Sequence, residues 1–260
     1  MNLYYTENYR EMSRKAANLL AAQVARKPDS VLGLATGSTP VGLYAALQED
    51  HQTRGLSFAA CRTVNLDEYC GLAPEDPQSY AYFMQKMLFS GLDIEPGNTH
   101  LPDGKNPDAQ AECSRYERLI ASLGGIDLQV LGLGHNGHIG FNEPSDAFPV
   151  ETHRVKLTAR TIAANARFFP KAEAMPKYAY TVGLRAILQA KRILLLVSGT
   201  EKAEILERVL FGPVTPQVPG SILQLASHLD VCADAEALSA VLRKHPETVQ
   251  DTGNPEKTDR

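Results

Sequence analysis

Val31-Leu32-Gly33-Leu34-Ala35-Thr36-Gly37-Ser38-Thr39-Pro40 is the stretch whose reading decides the fold. An apolar run of strand length ends in a polar, glycine-bearing turn. Thr-Pro then marks a helix start, with Thr39 as N-cap and Pro40 in the first helical position. The pattern recurs. Apolar runs at 61–66, 127–133, 193–198 and 229–233 predict further strands. Helical spacing covers 8–26, where Met12, Ala16, Leu19, Leu20 and Val24 share one side, and also 79–89, 200–210 and 235–243. Asn106-Pro107 repeats the helix-start device. Strands separated by helix-length segments predict parallel βαβ crossovers. The expected class is α/β: a doubly wound, mostly parallel open sheet with helices on both faces.

Working outward, the 260 residues suit one catalytic domain over 1–245. The polar tail 246–260, with Val249 its one large apolar residue, is expected to be disordered. With 43% hydrophobic and 22% charged residues the composition is that of a globular chain, and a net charge of −4 argues against nucleic acid as partner. Apolar runs such as 193–197 are far short of the ~20 residues of a membrane span. The first residues lack the apolar core of a signal peptide. Cys61, Cys70, Cys113 and Cys232 are scattered without a CxxC pair, so no disulfide framework or zinc site is expected and a reduced cytoplasm is.

Ligands of open parallel sheets bind beyond the carboxyl ends of the strands. Four runs here end in polar loops: 36–40, 67–69, 134–144 and 198–202. Thr36, Gly37, Ser38 and Thr39 have the ingredients of a phosphate cradle at a helix start, although a plain β-to-α turn would use the same residues. No Gly-Lys-Ser/Thr follows. Gly132-Leu133-Gly134 and Gly137 complete GxGxxG, but no ribose-binding acid follows about 20 residues later, so the form is Rossmann-like without a dinucleotide site. His135 and His138 invite a metal reading with Glu143, but Gly134, Gly137 and Gly140 oppose the helix that would bring the two rings together; no metal is expected. His138, close to Asn136 and Glu143, reads either as a turn histidine or as a general acid/base oriented by a carboxylate. Asp67-Glu68 reads as a strand-end turn, or as a site where partial desolvation makes Asp67 a base. Between 151 and 177 stand six Lys/Arg against two acids: a solvated face, or a mobile cover whose cations meet an anion.

GLATGSTP (33–40), NLDEY (65–69), LGLGHNGHIGFNEP (131–144), ANARFF (164–169) and SGTEKA (198–203), in this order and spacing, resemble the glucosamine-6-phosphate deaminase family. The likeness runs from about residue 1 to 240, with linking text such as KYAYTVGL (177–184). It implies conversion of α-D-glucosamine 6-phosphate and water to fructose 6-phosphate and ammonium, without metal or organic cofactor. It implies Asp67 as the carbon base, His138 as the ring-opening acid/base, Glu143 as its supporting acid, and Asn136 as an uncharged orienter of His138. Arg167 and Lys202 match the phosphate-binding cations beside Thr36–Thr39, and 145–178 matches an active-site lid. Some members carry Gly-Ser-Ser after NEP and respond to N-acetylglucosamine 6-phosphate; Ser145-Asp146-Ala147 stands here, so weak or absent activation is expected. The resemblance leaves monomer and homo-oligomer equally open. Two alternatives remain: a 6-phosphogluconolactonase-like hydrolase, whose usual text is GHTASLFP-like rather than GHIGFNEP, and a non-catalytic sugar-phosphate sensor, which would lose the base or the histidine.

Overall fold

Ile-Leu-Leu-Leu-Val at Ile193–Val197 is buried at every position. Successive side chains of a strand point to opposite faces. Leu194 and Leu196 accordingly enter one apolar layer, and Leu195 and Val197 the other. A strand apolar on both faces needs helices above and below it, and it obtains them.

The computed structural model describes residues 1–158 and 175–249. Its strands are β1 (Asn2–Thr6), β2 (Val31–Leu34), β3 (Arg62–Asn65), β4 (Asp67–Tyr69), β5 (Thr99–His100), β6 (Leu128–Gly132), β7 (His153–Lys156), β8 (Tyr178–Thr181), β9 (Ile193–Val197) and β10 (Leu229–Asp234). Seven of them form one sheet in the order β1-β10-β9-β6-β2-β3-β5, and all its pairings are parallel. The helices α1 (Tyr9–Arg26), α2 (Val41–Arg54) and α3 (Tyr80–Met87) supply buried residues to one layer. The other layer takes α4 (Ala109–Ser122), α5 (Leu184–Leu188), α6 (Ala203–Phe211) and α7 (Ala235–Lys244). From β2 the chain moves outward to β3 and β5, then returns to β6 on the other side of β2. The strand order therefore reverses between β2 and β6, where doubly wound sheets open their crevice.

Several expectations need correction. Thr39 does not cap α2. Pro40 is the N-cap and no side chain of the cap bonds the helix; instead the Tyr9 hydroxyl accepts from Gly42 N–H at 2.8 Å and donates toward the Ser38 and Thr39 carbonyls, both at 3.1 Å. Nor does Asn106 cap α4: Asp108 accepts from Ala111 N–H, while Asn106 shapes the preceding turn by accepting from Asp108 N–H. Within the expected tail, Pro246–Val249 form a 3-10 turn in which Thr248 bonds the His245 carbonyl, and 250–260 lie outside the described residues. The N-terminal strand β1, paired to β10 at the sheet edge, was not anticipated, since only Leu3 and Thr6 of it are buried.

A second sheet was not anticipated either. β4, β8 and β7 pair antiparallel. Leu66 is the joint: its N–H bonds Leu34 of the main sheet at 3.1 Å, and its carbonyl accepts from Val182 N–H at 2.7 Å. The chain thus leaves the parallel sheet at Leu66 and enters the small one at Asp67. Of the expected lid, residues up to 158 and from 175 are described, and their β7–β8 pairing is continued by Leu157 N–H to the Lys177 carbonyl; Arg167 lies outside the described residues. Cys61, Cys70, Cys113 and Cys232 are unpaired thiols. Among the described residues no helix is long and apolar enough to cross a membrane.

Candidate active site

β9, β6, β2 and β3 are consecutive neighbours, so the polar loops after β9, β6 and β2 lie side by side with the start of β4, which follows β3 where a loop was expected. The loop after β2 exposes Gly37, which has φ +102° with open space around it, and Ser38; Tyr9 braces it from behind. The loop ends at the amino end of α2, whose positive pole suits an anion although its Val41 and Gly42 N–H groups are already bonded to the Ser38 carbonyl and the Tyr9 hydroxyl. Lys202 stands likewise just before α6, its backbone N–H bonded to the Gly199 carbonyl. Gly199 is itself held by Asp234, whose carboxylate also bonds Ser198 and caps α7.

The loop after β6 folds on itself. Gly134 N–H bonds the His138 carbonyl, and Gly137 N–H bonds the Gly134 carbonyl. A β-carbon on Gly134 would overlap the His138 imidazole, so only glycine fits beneath that ring. His138 Nδ1 lies 3.4 Å from Glu143 Oε2 without hydrogen-bond geometry. Asn136 was expected to orient the ring by a hydrogen bond, and it does not bond the ring. Its amide donates to Glu143 Oε2 at 2.6 Å and its oxygen accepts from the backbone N–H of His138 at 3.2 Å. The side chain therefore fixes the carboxylate and the peptide on either side of the imidazole. His135 is exposed.

Asp67 and this loop meet through the small sheet. Thr181 pairs with Asp67 across β4–β8, and its hydroxyl accepts from Phe141 N–H at 3.0 Å. Asn142 adds bonds to the Ile139 and Val182 carbonyls. A β-carbon on Gly140 would sit 3.6 Å from Asp67 Oδ2. Asp67 is 6% exposed, and no donor from the described residues satisfies its carboxylate. Burial, followed by the neighbouring Glu68 charge, pushes its pKa up to about 8. Glu68 is pushed up to about 7, chiefly by burial and against three backbone N–H bonds. Burial also raises the phenols of Tyr44, Tyr80 and Tyr116 well above their ordinary value, and Tyr69 to about 12. A dry carboxylate beside a histidine–carboxylate pair is equipped to move protons to and from carbon.

Sequence reasoning brought together Asp67, Asn136, His138, Glu143, Thr36–Thr39 and Lys202 on neighbouring loops. It missed Tyr9, Tyr80 and Thr181. Their signal lies in tertiary contacts: Tyr9 is remote from the loop it braces. No group of three or more His, Cys, Asp or Glu among the described residues is placed to hold a metal ion.

An open parallel sheet with this loop cluster defines a class of α/β enzymes acting at a sheet switch point. Residues 6–232 match the family model described as glucosamine-6-phosphate isomerases/6-phosphogluconolactonase, and the chain belongs to that family. The glucosamine-6-phosphate deaminase of Geobacillus sp. (strain WCH70) is 53% identical over 241 residues, covering 93% of this chain and 96% of that one. That of Lachnoclostridium phytofermentans is 53% identical over 231 residues, covering 89% and 98%. A solved structure reported as a monomeric glucosamine-6-phosphate deaminase of the NagB superfamily superposes with a TM-score of 0.90 at 48% identity, covering 92% of this chain and all of that one. The 6-phosphogluconolactonase of Thermotoga maritima, at 21% identity and a TM-score of 0.69, shares the fold.

Proposed function

We propose that this chain converts α-D-glucosamine 6-phosphate and water to D-fructose 6-phosphate and ammonium. The observation that carries the reading is Asp67: a buried carboxylate, unsatisfied by any described donor, beside the His138–Glu143 loop. Relatives of about half-identical sequence bear the deaminase name.

The substrate's phosphate is gripped by the Thr36–Thr39 loop with the amino end of α2, by Lys202 at the amino end of α6, and by Arg167. His138, backed by Glu143, shuttles the proton that opens the sugar ring and leaves an aldehyde at carbon 1. Asp67 then takes the proton from carbon 2, whose electrons form a double bond to carbon 1 as the carbonyl π pair moves onto oxygen 1, which takes up a proton from solvent. Returning that proton to carbon 1 lets the nitrogen lone pair form an iminium at carbon 2. Water adds there, and the carbon–nitrogen bond breaks to give the ketone and ammonium. The phosphate grip far from the reacting carbons holds the chain in the orientation Asp67 needs. A lactonase or a sensor would have no use for a buried carbon base. The four unpaired thiols support placing the enzyme in a reducing cytoplasm.

The test is ammonium release from glucosamine 6-phosphate with a metal chelator present. Stoichiometric ammonium and fructose 6-phosphate are expected; absence of ammonium overturns the reading.

A further inference from the structure

Glu68 is next to the carbon base, yet no step above calls on it. Its side chain is almost wholly buried, at 3% exposure. Oε1 accepts from the N–H groups of Tyr69 at 2.8 Å and Tyr80 at 2.9 Å, and Oε2 accepts from Ala81 at 2.8 Å. Tyr80 and Ala81 are the first residues of α3, whose free N–H groups and positive pole favour an anion. The carboxylate thus bolts α3 to β4.

What α3 carries makes the bolt consequential. The Tyr80 hydroxyl bonds the Tyr69 hydroxyl at 3.2 Å and the side chain of Thr36. Its ring stacks on Phe141, with centroids 6.1 Å apart and planes 9° apart, and lies 4.7 Å from the Tyr69 ring. One side chain therefore touches the phosphate loop, the strand of Asp67 and the loop of His138. Charge is the second element. Adjacent residues on a strand face opposite ways, so Glu68 can lie against Asp67 in sequence and still stay out of the substrate's path.

We propose that Glu68 is a positioning residue of the reaction: its carboxylate locks α3 onto β4, so that Tyr80 keeps the three loops in register around Asp67. This rests on Asp67 being the carbon base. Among the described residues Asp67 is also faced by the phenols of Tyr44 on α2, Tyr69 on β4, Tyr80 on α3 and Tyr116 on α4, all raised and uncharged near neutrality, and the loop carrying His138 and Glu143 lies beside it. Glu68 is itself faced by Asp76 and Cys70, and it lines a cleft of about 600 Å³ with Glu75 and Asp103.

The experiment measures kcat and KM for glucosamine 6-phosphate against pH in wild type, Glu68→Gln and Glu68→Asp, with thermal unfolding of each. Asp67 must be charged to act, and a neighbouring negative charge makes it hold its proton. Removing that charge in Glu68→Gln moves the acid limb of kcat/KM to lower pH by about half a unit or more. Glu68→Asp keeps the charge but loses the reach: its acid limb stays with wild type while kcat falls about tenfold. An unmoved limb in a folded Glu68→Gln, or wild-type kcat in Glu68→Asp, overturns the proposal. Should Glu68→Gln fail to fold, kcat of Glu68→Asp decides. A wild type that releases no ammonium overturns the deaminase reading instead, so the two failures are told apart.

Discussion

Two buried aspartates stand at opposite ends of the main sheet and are treated in opposite ways. At the amino end, Asp127 is 3% exposed and bonds Lys27 at 2.5 Å, Lys191 at 2.7 Å and Val31 N–H at 2.8 Å. These partners outweigh burial and hold its carboxyl below the ordinary range. At the carboxyl end, Asp67 is as little exposed but lies deeper in the protein, and burial first, then the charge of its sequence neighbour Glu68, pushes its pKa up. Depth of burial and opposite partners together separate an acid spent on the fold from the one proposed for chemistry. A paired carboxylate is a poor base; a lonely one is a strong base and a burden on stability.

The largest effect that would break this contrast is on turnover. Asp67→Asn keeps the shape and removes the base, so kcat falls by about 10²–10⁴ while KM stays within a few-fold; near-normal kcat would remove Asp67 from the mechanism. Asp127→Ala does the reverse. It strands two lysines and the Val31 N–H, costing about 2–3 kcal/mol in chemical denaturation, with kcat of the folded enzyme unchanged. Next comes Lys202→Ala, where losing a charge-assisted phosphate contact raises KM about tenfold with little change in kcat; an unchanged KM would locate the phosphate elsewhere. The last effect sharpens the comparison. Unfolded Asp67 ionises near 3.8 and folded Asp67 near 8, so the native state holds an extra proton between those values. Stability from this residue is therefore complete below the lower value and is lost as pH rises toward the upper one. Asparagine does not titrate, so the Tm of Asp67→Asn relative to wild type should climb between pH 5 and pH 8 by roughly 5–10 °C. A gap independent of pH would mean that Asp67 is not buried as a lone acid.

The main sheet was legible because its strands announce themselves: Ile193–Val197 has no polar residue, and four of the five apolar runs are followed by glycine or paired acids. The same signal put Asp67, His138, Glu143 and Lys202 on adjacent strand ends. The small sheet was illegible for the complementary reason. β4 has three residues, Asp-Glu-Tyr, and β8 reads Tyr-Ala-Tyr-Thr, so neither carries the pattern of a buried strand. They pair because Leu66 delivers β4 from one sheet to the other, a tertiary fact with no local trace. Asn136 shows the finer limit. Its proximity to His138 could be read, but not that its amide would turn to Glu143 and leave the ring to the carboxylate.

Tyr9 gives the amino-terminal segment an unexpected reach. It lies three residues beyond an edge strand whose only sheet neighbour is β10, and its phenol braces the turn after β2 that is proposed to take the phosphate. Whatever pulls at that margin, such as a fusion partner or an affinity tag, pulls through the first residue of α1 on the turn proposed to grip the sugar phosphate.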